Sequence, residues 1–149
     1  MTPKNTEVFI QKGFTLIELL VVMIIVSLLV VASVPKYKTA MEKARAQEGI
    51  NDLTLAADQA NGYYMMQEGS YANIKAFLAA GADSAKQQHF EPLKVQPIHN
   101  VVILSIKSKK AGYTLAILLS EGAVTRRSCS ADSGNKQAER ICDAIGWGR

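Results

Sequence analysis

The hydrophobic pattern changes character along the chain. From Phe14 to Val34 the only charged residue is Glu18, and between Leu19 and Val34 there is none. As a helix, those 21 residues span about 31 Å at roughly 1.5 Å per residue, which matches the apolar core of a bilayer. Beyond Pro35 the pattern becomes amphipathic. Ala46, Ile50, Leu53, Ala57, Ala60 and Tyr64 recur at spacings of four and three, which sets them on one helical face with Glu48, Asp52, Asp58 and Gln59 largely off it. Pro35 is expected to kink this helix without ending it, because proline lacks a backbone donor and crowds the preceding turn. Gly49 and Gly62 mark weak points, each costing about 1 kcal/mol relative to alanine in a helix interior. Gly69 reads as the stop signal.

The remainder predicts smaller elements. "SYANIKAFLAAGA" contains a short helix around residues 73–80, and "EPLKVQPIH", with its two prolines, reads as an irregular link. "VVILSIK" (101–107), "YTLAILL" (113–119) and "AVTRRSC" (123–129) are β-rich runs joined by the short links "SKKAG" and "SEG", the pattern of an antiparallel sheet. Apolar residues on both faces of the first two strands predict that one face covers the long helix and the other meets a neighbour.

Composition changes this picture in two places. The hydrophobic fraction of 48% is concentrated in the apolar run, so just over a hundred residues after it must form an ordinary small core. The net charge of +4 is scattered, with Lys107, Lys109 and Lys110 the one tight basic cluster and Arg126–Arg127 a second pair. Solvated turns and strand edges account for these better than a nucleic-acid surface, although a basic hairpin tip is able to touch phosphates. If the apolar run exports the residues beyond it, Cys129 and Cys142 sit in an oxidising compartment and are expected to form a disulfide. No zinc or calcium pattern accompanies them, and Asp132, Glu139 and Asp143 read as a solvated loop.

Glu18 is the anomaly, because a carboxylate inside a spanning helix is costly and is a functional candidate by default. Its context, "KGFTLIELL" at residues 12–20, resembles the processing site of type IV prepilins: a basic residue and glycine, then phenylalanine, a glutamate four residues on, and an apolar helix running through Pro35 and Tyr37. The resemblance is specific over roughly residues 12–40. It implies that a prepilin peptidase removes a polar leader, residues 1–13, between Gly13 and Phe14 and methylates the new Phe14 amine. It further implies a pilin fold of class α+β, in which a long N-terminal helix, half of it transmembrane, packs on a small antiparallel sheet closed by a C-terminal disulfide loop. The expected segments are then 14–35 (hydrophobic assembly half), 36–68 (amphipathic half), 69–100 (connecting loop with a short helix), 101–129 (sheet) and 129–149 (disulfide-bounded region).

The expected partners are identical subunits in a helical filament, the peptidase, inner-membrane assembly machinery, and the bilayer before assembly, with nucleic acid as a weaker option. Glu18 is expected to neutralise a Phe14 amine during assembly, and Pro35 and Gly49 to bracket a stretch of helix that melts in filaments. The expected location is the inner membrane first and the cell surface afterwards. No catalytic motif appears and no cofactor is expected; there is no G-x-S-x-G and no phosphate-cradling glycine loop. Three readings stand: a major pilin for adhesion, twitching motility or DNA uptake; a type II secretion pseudopilin or low-abundance minor pilin; and a signal-anchored envelope protein that never polymerises. "VASVP" at residues 31–35 leaves a conventional signal-peptide cleavage open as well.

Overall fold

The computed structural model describes residues 13–81 and 88–148, so the expected leader, apart from Gly13, lies outside the described residues. The chain divides into two compact units at Lys38/Thr39. One helix, α1 (Leu16–Met66), contributes to both. After it come α2 (Ile74–Gly81), then strands β1 (Lys94–Ile98), β2 (Val101–Lys107), β3 (Tyr113–Ser120) and β4 (Ala123–Ala131), and finally α3 (Lys136–Ile145). The class is α+β, with the helix packed on a four-strand antiparallel sheet and a Cys129–Cys142 disulfide in the C-terminal region.

The sheet is a simple meander in the order β1-β2-β3-β4. Alternation decides its buried face. Val102, Leu104 and Ile106 of β2 and Tyr113, Leu115, Ile117 and Leu119 of β3 point into the core, while the residues between them are half-buried. The same core receives Ala46, Leu53, Ala56, Ala57, Ala60 and Tyr63 from α1, so the four-three spacing of small and apolar residues lays that stripe on the sheet.

At Gly49 the helix backbone lies close against side chains of the sheet side. A Cβ there would stand 2.6 Å from Phe90 Cζ and 2.9 Å from Ile106 Cδ1. The glycine that reads as a weak point in an isolated helix thus makes room for an aromatic ring. Gly49→Ala is therefore expected to destabilise the fold by about 1–3 kcal/mol through overpacking, despite alanine's better helix propensity. Thermal unfolding of the variant checks this, and an unchanged or raised midpoint would mean the ring yields freely.

Two expectations need correction. The stretch read as an irregular link contains β1, with Pro97 opposite Val102 in the pairing with β2. β1 is an edge strand, the place in a sheet where proline is tolerated because a missing N–H can face away from the ladder. The C-terminal tail, read only as a disulfide-bounded region, contains α3. Asn135 caps it, its side chain accepting a hydrogen bond from the Ala138 N–H at 3.1 Å, and Ala138, Ile141 and Cys142 are buried at helical spacing.

The links are tied down by tyrosines. The Tyr63 hydroxyl donates to the Ala72 carbonyl, and its ring lies 4.8 Å from Phe77, joining α1 to α2. The Tyr71 hydroxyl accepts from the Gly122 N–H at 3.0 Å. That glycine completes a two-residue turn between β3 and β4 in which Glu121 and Gly122 both have positive φ, 53° and 77°, the geometry that matches the right-handed strand twist.

Candidate processing and assembly site

Gly13, Phe14 and Thr15 precede the helix and are exposed, so the Gly13–Phe14 peptide lies in non-helical chain at the edge of an apolar segment. Thr15 is the residue that starts α1. Its carbonyl accepts from the Leu19 N–H at 3.2 Å, and its hydroxyl accepts from the Glu18 N–H at 3.3 Å. Threonine followed three residues later by glutamate is the capping-box pattern, and it places Glu18 in the first turn, where the helix dipole favours a negative charge. That signal stands in the sequence, at the very edge of the apolar run that overshadows it. Glu18 consequently has a local role at the helix start in addition to any pairing with an amine.

Apolar side chains cover the segment on every side. Leu16, Ile17, Leu19, Leu20 and each large hydrophobic residue on to Val31 are exposed, Leu16 at 82% and Val31 at 76%. Bare apolar surface around a full helical circumference marks a segment that another apolar body must cover. Its serines do not alter this, because the Ser27 and Ser33 hydroxyls each donate to the carbonyl four residues back, Met23 and Leu29, at 2.7 Å. Glu18 is left as the one ionisable side chain from Phe14 to Val34.

No single helix among the described residues is long and apolar enough to cross a membrane. Leu16–Val31 and Lys36–Met66 meet that requirement as a pair interrupted at residues 32–35, by length and composition. The first piece is about 24 Å long at 1.5 Å per residue, short of a full span by itself. Proline has no N–H to offer the carbonyl four residues back, and for Pro35 that residue is Val31.

The other candidate residues lie in the second unit. Cys129 and Cys142 are bonded, with Cα atoms 5.3 Å apart, and the link ties β4 to α3. Of the three lysines near the β2–β3 turn, Lys107 is held by Asp132, its Nζ lying 3.0 Å from the carboxylate. Lys109 and Lys110 instead line a cleft with Glu42, Arg45, Gln88, His89 and Ser108, so the cluster that sequence showed as one tip is split between two surroundings.

Tyr113 is fully buried, and its hydroxyl has no hydrogen-bond partner among the described residues. Burial pushes its pKa up to about 12; the nearby Glu42 carboxylate adds to the rise, while Ser108 and Arg45 oppose it. The Ser108 hydroxyl is close enough to favour the phenolate, yet the contact falls short of a formed hydrogen bond. Because the folded value exceeds the unfolded one, near 10, this group's contribution to stability is complete below pH 10 and drains away as pH rises towards 12. Tyr113→Phe is expected to flatten the loss between pH 10 and 12 and, by removing an unpaired buried hydroxyl, to leave stability at pH 7 unchanged or raised by about 1 kcal/mol. Thermal melts across that pH range test both statements; a Tyr113→Phe variant with the same alkaline slope would place the titrating group elsewhere.

Comparison with known proteins bears on the first unit. Residues 9–34 match the family model described as the prokaryotic N-terminal methylation motif, the type IV prepilin-like signal. The match covers the Gly13–Phe14 peptide, Glu18 and the apolar run, and it supports a type IV pilin-like or pseudopilin protein. No curated protein and no solved structure matches the chain.

Proposed function

Starting from the prepilin-like signal at residues 9–34, we propose that this chain is a structural subunit of a type IV pilus, polymerising through its N-terminal helix into a surface filament. The observation that carries the reading is the union of that signal with an apolar helix segment exposed around its whole circumference. Before assembly, lipid covers residues 14–34; in the filament, identical helices do. A contact repeated by a rotation that does not close yields an open helical polymer.

Glu18 then acts in register. Cleavage after Gly13 leaves a cationic amine on Phe14, and entry of that charge into an apolar bundle is costly unless a carboxylate meets it. A subunit arriving out of register would bury amine and carboxylate apart, so pairing selects the correct position. Pro35 and Gly49 bracket the helical stretch that gives way when subunits pack. A filament reconstruction with unbroken helix through residues 35–50 would count against that last point.

The deciding measurement is the intact mass and N-terminal sequence of the protein recovered from sheared surface material. A chain starting at methylated Phe14, abundant and filamentous, is the expected outcome. A processed chain confined to the membrane in small amounts would mean a pseudopilin or minor pilin. An uncut leader, or cleavage near Ala32, would mean a signal-anchored or conventionally secreted protein and would overturn the reading.

A further inference from the structure

We propose that the groove between α2 and the outer edge of β1 takes up an extended, acidic segment of a partner protein, which joins the sheet as an added strand. The groove, about 430 Å³, lies wholly in the second unit, so the inference does not depend on the pilus reading.

β1 pairs with β2 on one side and with no strand on the other among the described residues. In an antiparallel ladder every second residue of such a strand directs its N–H and C=O away from its partner. The outer edge therefore carries backbone groups able to receive another chain. The consecutive residues 92–96 line the groove. Because successive side chains of a strand point to opposite faces, a wall of consecutive residues follows the strand's edge and not one face of the sheet. Lys75, Leu78 and Ala79 of α2 line the groove as well. A groove with a strand edge on one side and a helix on the other suits peptide addition, main-chain hydrogen bonds supplying affinity and alternate side chains specificity.

The lining selects the occupant. Leu78, Leu93 and Val95 offer apolar contact, and the ionisable residues are Lys75 and Lys94, with no acid among the described lining. Lys94 already meets Glu91, its Nζ 3.4 Å from the carboxylate, in a solvent-exposed pair. Such pairs contribute little, so an incoming carboxylate exchanges for Glu91 at small cost. A second copy of β1 fits poorly, because it brings lysine to a lysine-lined edge and a proline without a donor. At the other edge of the sheet, β4 is interrupted by a bulge in its pairing with β3 and tied to α3, which blunts it.

The test uses the full chain in detergent micelles and a capped, fluorescent peptide of alternating valine and glutamate, followed by anisotropy. This peptide is expected to bind, and its lysine-for-glutamate counterpart to bind at least about tenfold more weakly. Lys75→Gln/Lys94→Gln is expected to weaken binding of the acidic peptide by about three- to tenfold, and Arg127→Gln to leave it unchanged. Methylating the backbone nitrogens along one edge of the peptide is expected to abolish binding, and along the other edge to spare it, because a single edge faces β1. Bound peptide is expected to slow amide exchange in β1 and not in β4. Matching thermal midpoints exclude unfolding as the cause of any loss. Absence of binding, or equal binding of the acidic and basic peptides, overturns the proposal. So do equal effects of methylating either edge, which would mean carboxylates held by lysines without strand addition. Protection that appears along β4, with weakening by Arg127→Gln, would place the addition at the other edge and overturn it too. Peptide binding that weakens as the chain dimerises at higher concentration would make a second copy the occupant, with the same consequence. The N-terminal mass that decides the pilus reading is independent of every one of these outcomes.

Discussion

Glu18→Ala is expected to leave cleavage at Gly13–Phe14 intact and to reduce filaments in sheared surface material by at least about a hundredfold. The magnitude comes from leaving one charge of a buried pair without its partner, which costs roughly 3–5 kcal/mol, with every 1.4 kcal/mol a factor of ten. The local role of Glu18 is much smaller. Losing a first-turn acid from a capped helix costs about 0.3–1 kcal/mol, and Thr15 retains its hydrogen bond to the residue-18 N–H whatever side chain stands there. Glu18→Gln separates the two roles, because glutamine can serve as the third residue of a capping box and carries no charge. If charge pairing directs assembly, the glutamine variant fails almost as badly as the alanine one. Normal filaments from Glu18→Gln would reduce Glu18 to a helix-start residue and remove the register argument. The assay is a shear preparation with the mature N-terminus read by mass spectrometry, so that a processing defect is not mistaken for an assembly defect.

The second large effect concerns the disulfide. Its cysteines are 13 positions apart, and closing a loop of that size is worth about 3 kcal/mol in the chain-entropy model. For a domain of roughly a hundred residues, that corresponds to a fall in Tm of about 10–20 °C. Cys129→Ala/Cys142→Ala is expected to show this drop, and a reductant should reproduce it in the wild type. The loss falls on a particular place. Ile141 and Ala138 of α3 are completely buried, and the tether to β4 holds them against the core. Without it, α3 should be the first element to lose amide-exchange protection, ahead of β2 and β3. A midpoint within about 3 °C of the wild type would mean that Asn135 capping and the packing of α3 suffice. That would leave the bond a minor contributor.

The apolar run and the helical stripe of α1 are legible because each depends on periodicity alone: charge-free residues in sequence, and small or apolar residues at four-three spacing. Strands β2 and β3 are legible for the same reason, through β-branched residues between turn-forming links. β1 is not, since prolines argue against a strand unless that strand is known to lie at an edge, and edge position is a property of the whole sheet. α3 escapes notice although Ala138, Ile141, Cys142 and Ile145 stand at helical spacing behind an asparagine cap. Short polar helices bury too little surface to stand out until their docking site is known.

The candidate site divides along the same line. Phe14, Glu18 and the apolar helix form one continuous stretch, so the order of residues alone specifies the candidate processing peptide, the lone carboxylate and the surface that demands covering. Relations between distant residues emerge only once the chain has folded. Phe90 and Ile106 leave little room for a side chain at residue 49; Asp132 draws Lys107 away from its neighbours; and Glu42, Arg45, His89 and two lysines come together around one cleft. The difference is one of range. Periodicity and capping act within a few residues and are written locally, whereas close packing and charge pairing depend on which remote segments the fold brings together.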